Sequence, residues 1–119
     1  MVPVSAVSLL SGKSMSGVLQ RNQSMVYRIS VPGNTSTMAV QTKGLGNVDL
    51  YLKHGLTPTV TRFDCRSNGL NSNEFCLINR PAAGEWFVLV VSNFNNLSLY
   101  SIAASIGSSA PTFNEQSDN

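Results

Sequence analysis

The residues that could carry chemistry are few in this chain of 119 residues: two cysteines, one histidine and six carboxylates. His54 is the only histidine, and no serine lies in the Gly-x-Ser-x-Gly pattern that marks many hydrolase nucleophiles. A catalytic triad needs a nucleophile and a base within hydrogen-bond reach of each other. We therefore expect His54 to be a surface or hydrogen-bonded side chain and the chain to be non-enzymatic. The alternative is a small independent hydrolase built around His54.

The two cysteines stand at either end of a loop rich in serine, asparagine and glycine. This loop is flexible enough to bring Cys65 and Cys76 together, but the spacing alone leaves two possibilities open, a disulfide or two free thiols in a cytosolic protein. Two cysteines and one distant histidine make a poor zinc set. If the disulfide forms, it should stabilise the fold by about 2.5–3 kcal/mol in the chain-entropy model.

Three carboxylates, Asp49, Asp64 and Glu74, are candidates to act together as oxygen ligands. Hard cations such as calcium bind several oxygen atoms at once, so these three form a candidate calcium site. The alternative, which we favour, is that they accept hydrogen bonds from loop amides or form ion pairs. The cations available for such pairs are Lys53, Arg62 and Arg66.

The elements that must position these residues are short strands, because apolar residues alternate with polar ones over runs bounded by glycine, proline and asparagine. The predicted strands span 15–19, 25–31, 37–42, 48–53, 60–65, 75–78, 85–92 and 97–106. Residues 1–9 read as a lead-in or an edge strand. About eight strands at roughly ten-residue spacing predict an all-β fold, an antiparallel β-sandwich of the jelly-roll type.

Two aromatic residues are predicted on an outer surface of this sandwich. Tyr51 lies on the opposite side of its strand from Val48, Leu50 and Leu52, and Phe87 lies on the opposite side of its strand from Trp86. We assign Trp86 to the core. If the two strands are neighbours, Tyr51 and Phe87 share one face. Flanked by Arg28 and Lys53, they could bind a polymer such as collagen or chitin, because rigid aromatic rings bury much area at small entropic cost. The alternative is that this apolar face packs on the second sheet, a loop or another domain.

Four sequence motifs together resemble the bacterial pre-peptidase C-terminal domain, a β-sandwich module of secreted proteases. They are Gly46-Asn47-Val48-Asp49-Leu50-Tyr51, Phe63-Asp64-Cys65, Glu74-Phe75-Cys76 and Pro81-Ala82-Ala83-Gly84-Glu85-Trp86. The resemblance covers residues 10–106 and leaves 107–119 as a polar tail. It implies a Cys65–Cys76 disulfide and a monomeric, non-catalytic accessory domain. Such a domain assists export, folding or maturation of a peptidase in the same precursor, and in some relatives it binds insoluble protein.

Related clostridial collagen-binding domains bind calcium, mainly through a segment before their first strand. In this chain residues 1–10 contain no carboxylate, and Asn47 stands where the family often has aspartate. These departures argue against calcium, and we expect no other cofactor.

The remaining classes of function are excluded by composition. The formal net charge is +2, and no cluster of lysine and arginine alternates with aromatic residues as a nucleic-acid surface would require. No apolar run has the length of a membrane span. The N-terminus lacks the basic and apolar regions of a signal peptide. The resemblance implies a protein secreted by bacteria, and we expect its export signal to lie on a part of the precursor outside this sequence.

Overall fold

The computed structural model describes residues 6–114, and these form a sandwich of two β-sheets. The strands are β1 (Val7–Ser8), β2 (Ser14–Leu19), β3 (Ser24–Val31), β4 (Thr37–Leu45), β5 (Val48–His54), β6 (Cys65–Ser67), β7 (Glu74–Asn79), β8 (Gly84–Ser92) and β9 (Ser98–Ile106). No helix among the described residues is long and apolar enough to cross a membrane.

The strand order confirms the predicted sandwich. One sheet has the order β1-β3-β8-β5-β6, here called the five-stranded sheet, and the other has the order β2-β9-β4-β7, here called the four-stranded sheet. From β2 to β9 the chain changes sheet at every step except from β5 to β6, which are neighbours in one sheet, and this is the pattern of an eight-stranded jelly roll. Strand β1 adds a short parallel edge to β3, while the other pairings are antiparallel.

One predicted strand is misplaced. The segment 60–65 was expected to be extended, but β6 begins at Cys65. A tight turn precedes it, because the Thr59 amide donates to the Arg62 carbonyl at 2.9 Å and the Arg62 amide donates to the Thr59 hydroxyl at 3.0 Å. The other predicted strands agree with the structure to within three residues at each end.

The core lies between the sheets and is built from the alternating apolar positions of seven strands. Its large members include Tyr27, Ile29, Met38, Leu50, Leu52, Trp86, Tyr100 and Ile102. Trp86 is 4% exposed, which confirms its assignment to the core, and its indole nitrogen donates to the Ala82 carbonyl at 2.9 Å. A buried polar group with a partner avoids the cost of an unmade hydrogen bond.

Two tyrosines join the sheets through their hydroxyl groups. Tyr27 on β3 and Tyr100 on β9 are buried, and their hydroxyl oxygens lie 2.6 Å apart. The Tyr100 ring reaches this position by passing over Gly17 on β2, where a Cβ atom would lie 2.3 Å from the ring. Only glycine at position 17 leaves room for the ring.

The disulfide is present and joins the two sheets at their edges. Cys65 on β6 and Cys76 on β7 are bonded, with their Cα atoms 6.2 Å apart. Cys76 is in the core, so the bond fastens the outermost strand of the five-stranded sheet to the interior of the sandwich.

Residues 107–114, the described part of the predicted polar tail, pack along the four-stranded sheet. The Gly107 amide donates to the Thr37 carbonyl at 2.7 Å, and the Asn114 carbonyl accepts from the Ser14 amide at 2.6 Å. Between these points the Phe113 ring lies 4.1 Å from the Lys43 ammonium. Ala39 and Ala103 lie on the outer face of this sheet, and yet both are fully buried. We attribute their burial to residues 107–114.

Candidate functional site

The outer face of the five-stranded sheet brings together the four residues that the sequence suggested for binding. Strand β8 pairs with β3 on one side and with β5 on the other. The register places Arg28, Phe87 and Lys53 in one row across the three strands. Tyr51 lies in the next row, opposite Leu89. The expectation that Tyr51 and Phe87 share a face is therefore confirmed. We call this surface the β8 face.

Tyr51 was expected to be exposed, but it is buried. Its side chain is 5% exposed, and the Phe63 ring packs on it with the ring centroids 5.7 Å apart. The Arg66 guanidinium lies 5.2 Å from the centre of the Phe63 ring and adds a second layer. Burial and the nearby Asp49 carboxylate raise the pKa of Tyr51, and Arg66 lowers it in part. The prediction of an exposed Tyr51 is wrong because the loop before β6 covers it.

The apolar part of the β8 face that remains accessible comes from β8 itself and from β3. Phe87, Leu89 and Val91 on β8 and Val26 on β3 are all half-buried. Their register partners place them in three successive rows, so they form one continuous strip. Of these four residues, Phe87 was singled out from the sequence. Val26, Leu89 and Val91 were not, because an apolar side chain on a strand gives no sign that its face stays partly open to solvent.

The two cations beside this strip are held by neighbours. The Arg28 side chain is exposed and donates from Nε to the Ser8 hydroxyl at 3.2 Å. Lys53 forms an ion pair with Asp64 at 3.5 Å. Exposed pairs of this kind contribute roughly 0.2–1 kcal/mol, so Lys53 can leave Asp64 for a ligand at little cost.

The three carboxylates considered for calcium do not form one cluster, because Asp64 lies at the opposite end of β5 from Asp49. Asp64 lies at the end of β5, where it accepts from the His54 amide at 2.8 Å and pairs with Lys53. Glu74 lies on β7 in the other sheet, where it accepts from the Ser67 hydroxyl and the Gly69 amide. Within residues 6–114 no cluster of three or more potential metal-ligating side chains is found.

Asp49 and Glu74 instead support the loops, as the alternative interpretation expected. Asp49 is buried and accepts from the Asn93 side-chain amide, which ties β5 to the loop after β8. Burial and the charge of Glu74 raise the pKa of Asp49; the Asn93 hydrogen bond and Arg66 oppose this rise. Asn47 fits the same role, since its side-chain amide can donate to the carbonyls of Gly69 and Asn71 at 3.1 Å.

His54 is placed as a hydrogen-bonded side chain at the end of β5. Its Nε2 atom lies 2.9 Å from the Ala83 carbonyl, and its ring packs against Trp86 at 5.3 Å between centroids. Through these contacts the imidazole holds the turn before β8. They give no geometry in which His54 would activate a serine or threonine nucleophile.

Comparison with known proteins gives a match over the central part of the chain. The family described as bacterial pre-peptidase C-terminal domain matches residues 23–92. A neutral protease of Vibrio proteolyticus is 31% identical over 100 residues, which are 82% of this chain and 16% of that protein. A zinc metalloprotease of Helicobacter pylori is 30% identical over 100 residues, which are 39% of its length. The chain thus spans less than half of these relatives.

Solved structures with the same fold include a pre-peptidase C-terminal domain and an inhibitor. The pre-peptidase C-terminal domain of a collagenase from Bacillus anthracis has a TM-score of 0.70 at 14% identity, covering 88% of this chain and 99% of that one. PliG of Aeromonas hydrophila, a periplasmic inhibitor of g-type lysozyme, has a TM-score of 0.68 at 18% identity. It covers 85% of this chain and 95% of its own. At these identities the likeness concerns the fold alone.

Proposed function

The chain belongs to the bacterial pre-peptidase C-terminal domain family, and from that premise we propose that it is a non-catalytic accessory domain of a secreted bacterial peptidase. Its location would be extracellular or periplasmic, joined to a catalytic domain in the same precursor. The proteases to which it is similar are several times longer than the matched region, which supports such an attachment. A role in export, folding or maturation follows from the same family membership.

We further propose that the β8 face holds the domain on insoluble protein substrate such as collagen. The observation that carries this proposal is the strip of Val26, Phe87, Leu89 and Val91, which places four apolar side chains, each partly open to solvent, on the outer face of the sheet. A flat apolar strip between two cations suits an extended polymer, since apolar contact supplies affinity and the cations can bind carbonyl or carboxylate groups.

Tyr51 has a different role in this proposal from the one first expected. Because Phe63 covers its ring, Tyr51 supports the face from below and does not contact the ligand. Phe87 is then the aromatic residue that contacts the polymer, with Arg28 and Lys53 on either side of it.

The test is retention of the purified chain on insoluble collagen, chitin and cellulose, in calcium and then in chelator. We expect retention on collagen that does not change on chelation, since Asp64 lies apart from Asp49 and Glu74. Retention on chitin alone would favour the alternative of a dedicated polysaccharide-binding module. Failure to bind any of the three polymers would refute substrate binding and leave the export or maturation role.

A further inference from the structure

Four loops meet at one end of the sandwich, and hydrogen bonds fasten them to one another. These loops are 20–23, 46–47, 68–73 and 93–97, and we call this surface the loop end. The Asn93 amide donates to the Asn47 carbonyl at 2.9 Å, and the Ser72 hydroxyl donates to the Leu45 carbonyl at 3.0 Å. The Asn22 amide donates to the Ser92 carbonyl at 2.9 Å. The loops are therefore held in fixed relative positions.

Large apolar side chains project from this end. Six of the exposed ones lie in these loops or in the adjoining row of the four-stranded sheet: Val18, Leu45, Leu70, Phe94, Leu97 and Leu99. Leu70 at the tip of the disulfide loop is 94% exposed, and Leu45 is 69% exposed. An exposed apolar group of this size, on loops held by hydrogen bonds, marks an interaction surface.

The charge at the loop end is positive. Arg21 is exposed and lies in a shallow depression with Gln20, Asn95, Asn96 and Leu97, and Lys43 is exposed on β4 of the four-stranded sheet. The two carboxylates near this end, Asp49 and Glu74, are buried. Of the other carboxylates in the described part of the chain, Asp64 and Glu85 belong to the opposite end, where they contact His54 and Ser30.

We propose that the loop end docks on a lipid bilayer that carries anionic headgroups. The exposed apolar side chains stand on separate loops beside the exposed Arg21, and the two carboxylates near this end are buried. A fluid interface can close around such side chains, whereas a folded partner would need a matching hollow for each. In this arrangement Leu70, Leu97 and Phe94 enter the headgroup–acyl boundary, and Arg21 receives a headgroup phosphate beside Asn95 and Asn96.

The loop end is a different surface from the β8 face. The strip on β8 lies on the side of the five-stranded sheet, while the loop end closes the sandwich where β8 finishes at Ser92. Loss of one binding activity therefore need not affect the other, and the two proposals fail separately.

The test is co-sedimentation of the full chain with large vesicles of phosphatidylglycerol and phosphatidylcholine, compared with vesicles of phosphatidylcholine alone. We expect binding to the anionic vesicles, weaker by tenfold or more in the double variant Leu70→Asn, Leu97→Asn, since each leucine loses its contact with lipid. The control is the double variant Leu56→Asn, Val60→Asn at the opposite end, whose side chains are similarly exposed. It should bind like the wild type.

Two further measurements test the geometry. Arg21→Gln should weaken binding to the anionic vesicles about fivefold and reduce its dependence on salt. A tryptophan introduced as Phe94→Trp should be quenched by brominated lipid, while the buried Trp86 should not.

The proposal is overturned if the wild type does not sediment with anionic vesicles at low salt, or if the control variant loses binding as much as the loop-end variant. Equal binding to neutral and anionic vesicles would also overturn it. Capture of a protein through a cross-linker at Leu70, without vesicle binding, would identify the loop end as a protein interface instead.

Discussion

Tyr51 and Phe87 lie on the same face of one sheet, but only Phe87 keeps part of its ring open to a ligand. The alternation of apolar and polar residues predicted the face of each side chain correctly, because side-chain direction in a strand has a period of two. It could not predict that Phe63 would cover Tyr51, because Phe63 arrives from an irregular loop twelve residues later. The loop carries no periodic signal that would indicate its position.

The Tyr27–Tyr100 pair should make stability fall at alkaline pH. Burial raises the pKa of both tyrosines in the folded protein above their ordinary value near 10. Above that value the unfolded chain releases protons that the folded chain retains. The free energy of unfolding should therefore be unaffected below about pH 9 and fall above pH 10, by up to about 1.4 kcal/mol per pH unit for each tyrosine.

The measurement is urea unfolding between pH 8 and pH 11, with the double variant Tyr27→Phe, Tyr100→Phe as control. Other groups also titrate in this range, and they are common to both proteins. The slope above pH 10 should be steeper in the wild type. Parallel curves for the two proteins would show that the buried hydroxyls do not resist ionisation.

At the scale of single elements, the disulfide has the clearest energetic role. Strand β6 is three residues long and forms the edge of its sheet, so it makes few ladder hydrogen bonds of its own. The double variant Cys65→Ser, Cys76→Ser should lower the free energy of unfolding by about 2.5–3 kcal/mol in the chain-entropy model. Urea unfolding would measure the loss, and reduction of the wild type by dithiothreitol should reproduce it. Unchanged stability in both cases would mean that β6 does not need the bond.

The segment 107–114 should behave as part of the fold. The Lys43 ammonium lies over the Phe113 ring, and we attribute the burial of Ala39 and Ala103 to the chain around Phe113. Phe113→Ala should lower the free energy of unfolding by about 1–2 kcal/mol through lost apolar contact and the lost cation–π interaction. It should also speed hydrogen exchange at the Ser14 amide, which donates to Asn114.

The control for this prediction is Thr112→Ala, at an exposed neighbouring position. It should leave both stability and exchange unchanged. Equal exchange at Ser14 in the wild type and Phe113→Ala would show that the segment does not hold the edge of β2.

At the scale of the whole molecule, the architecture could be predicted from the sequence because each strand is short, alternating and bounded by turn residues. The positions of the carboxylates could not. Asp49 and Glu74 belong to different sheets and Asp64 to a strand end, and their sequence spacing contains no information about how the layers stack. The burial of Ala39 and Ala103 could not be predicted either, because residues 107–114 have the polar composition of an exposed tail.

The central claim is that the β8 face holds this domain on insoluble protein, and an adsorption isotherm on collagen tests it most directly. Phe87→Ala should weaken adsorption about tenfold, as expected for a central aromatic contact. Phe75→Ala, which removes a ring from the outer face of the other sheet, should adsorb like the wild type. Thermal unfolding of each variant would confirm that the fold is retained. Equal adsorption by wild type, Phe87→Ala and Phe75→Ala would contradict the claim.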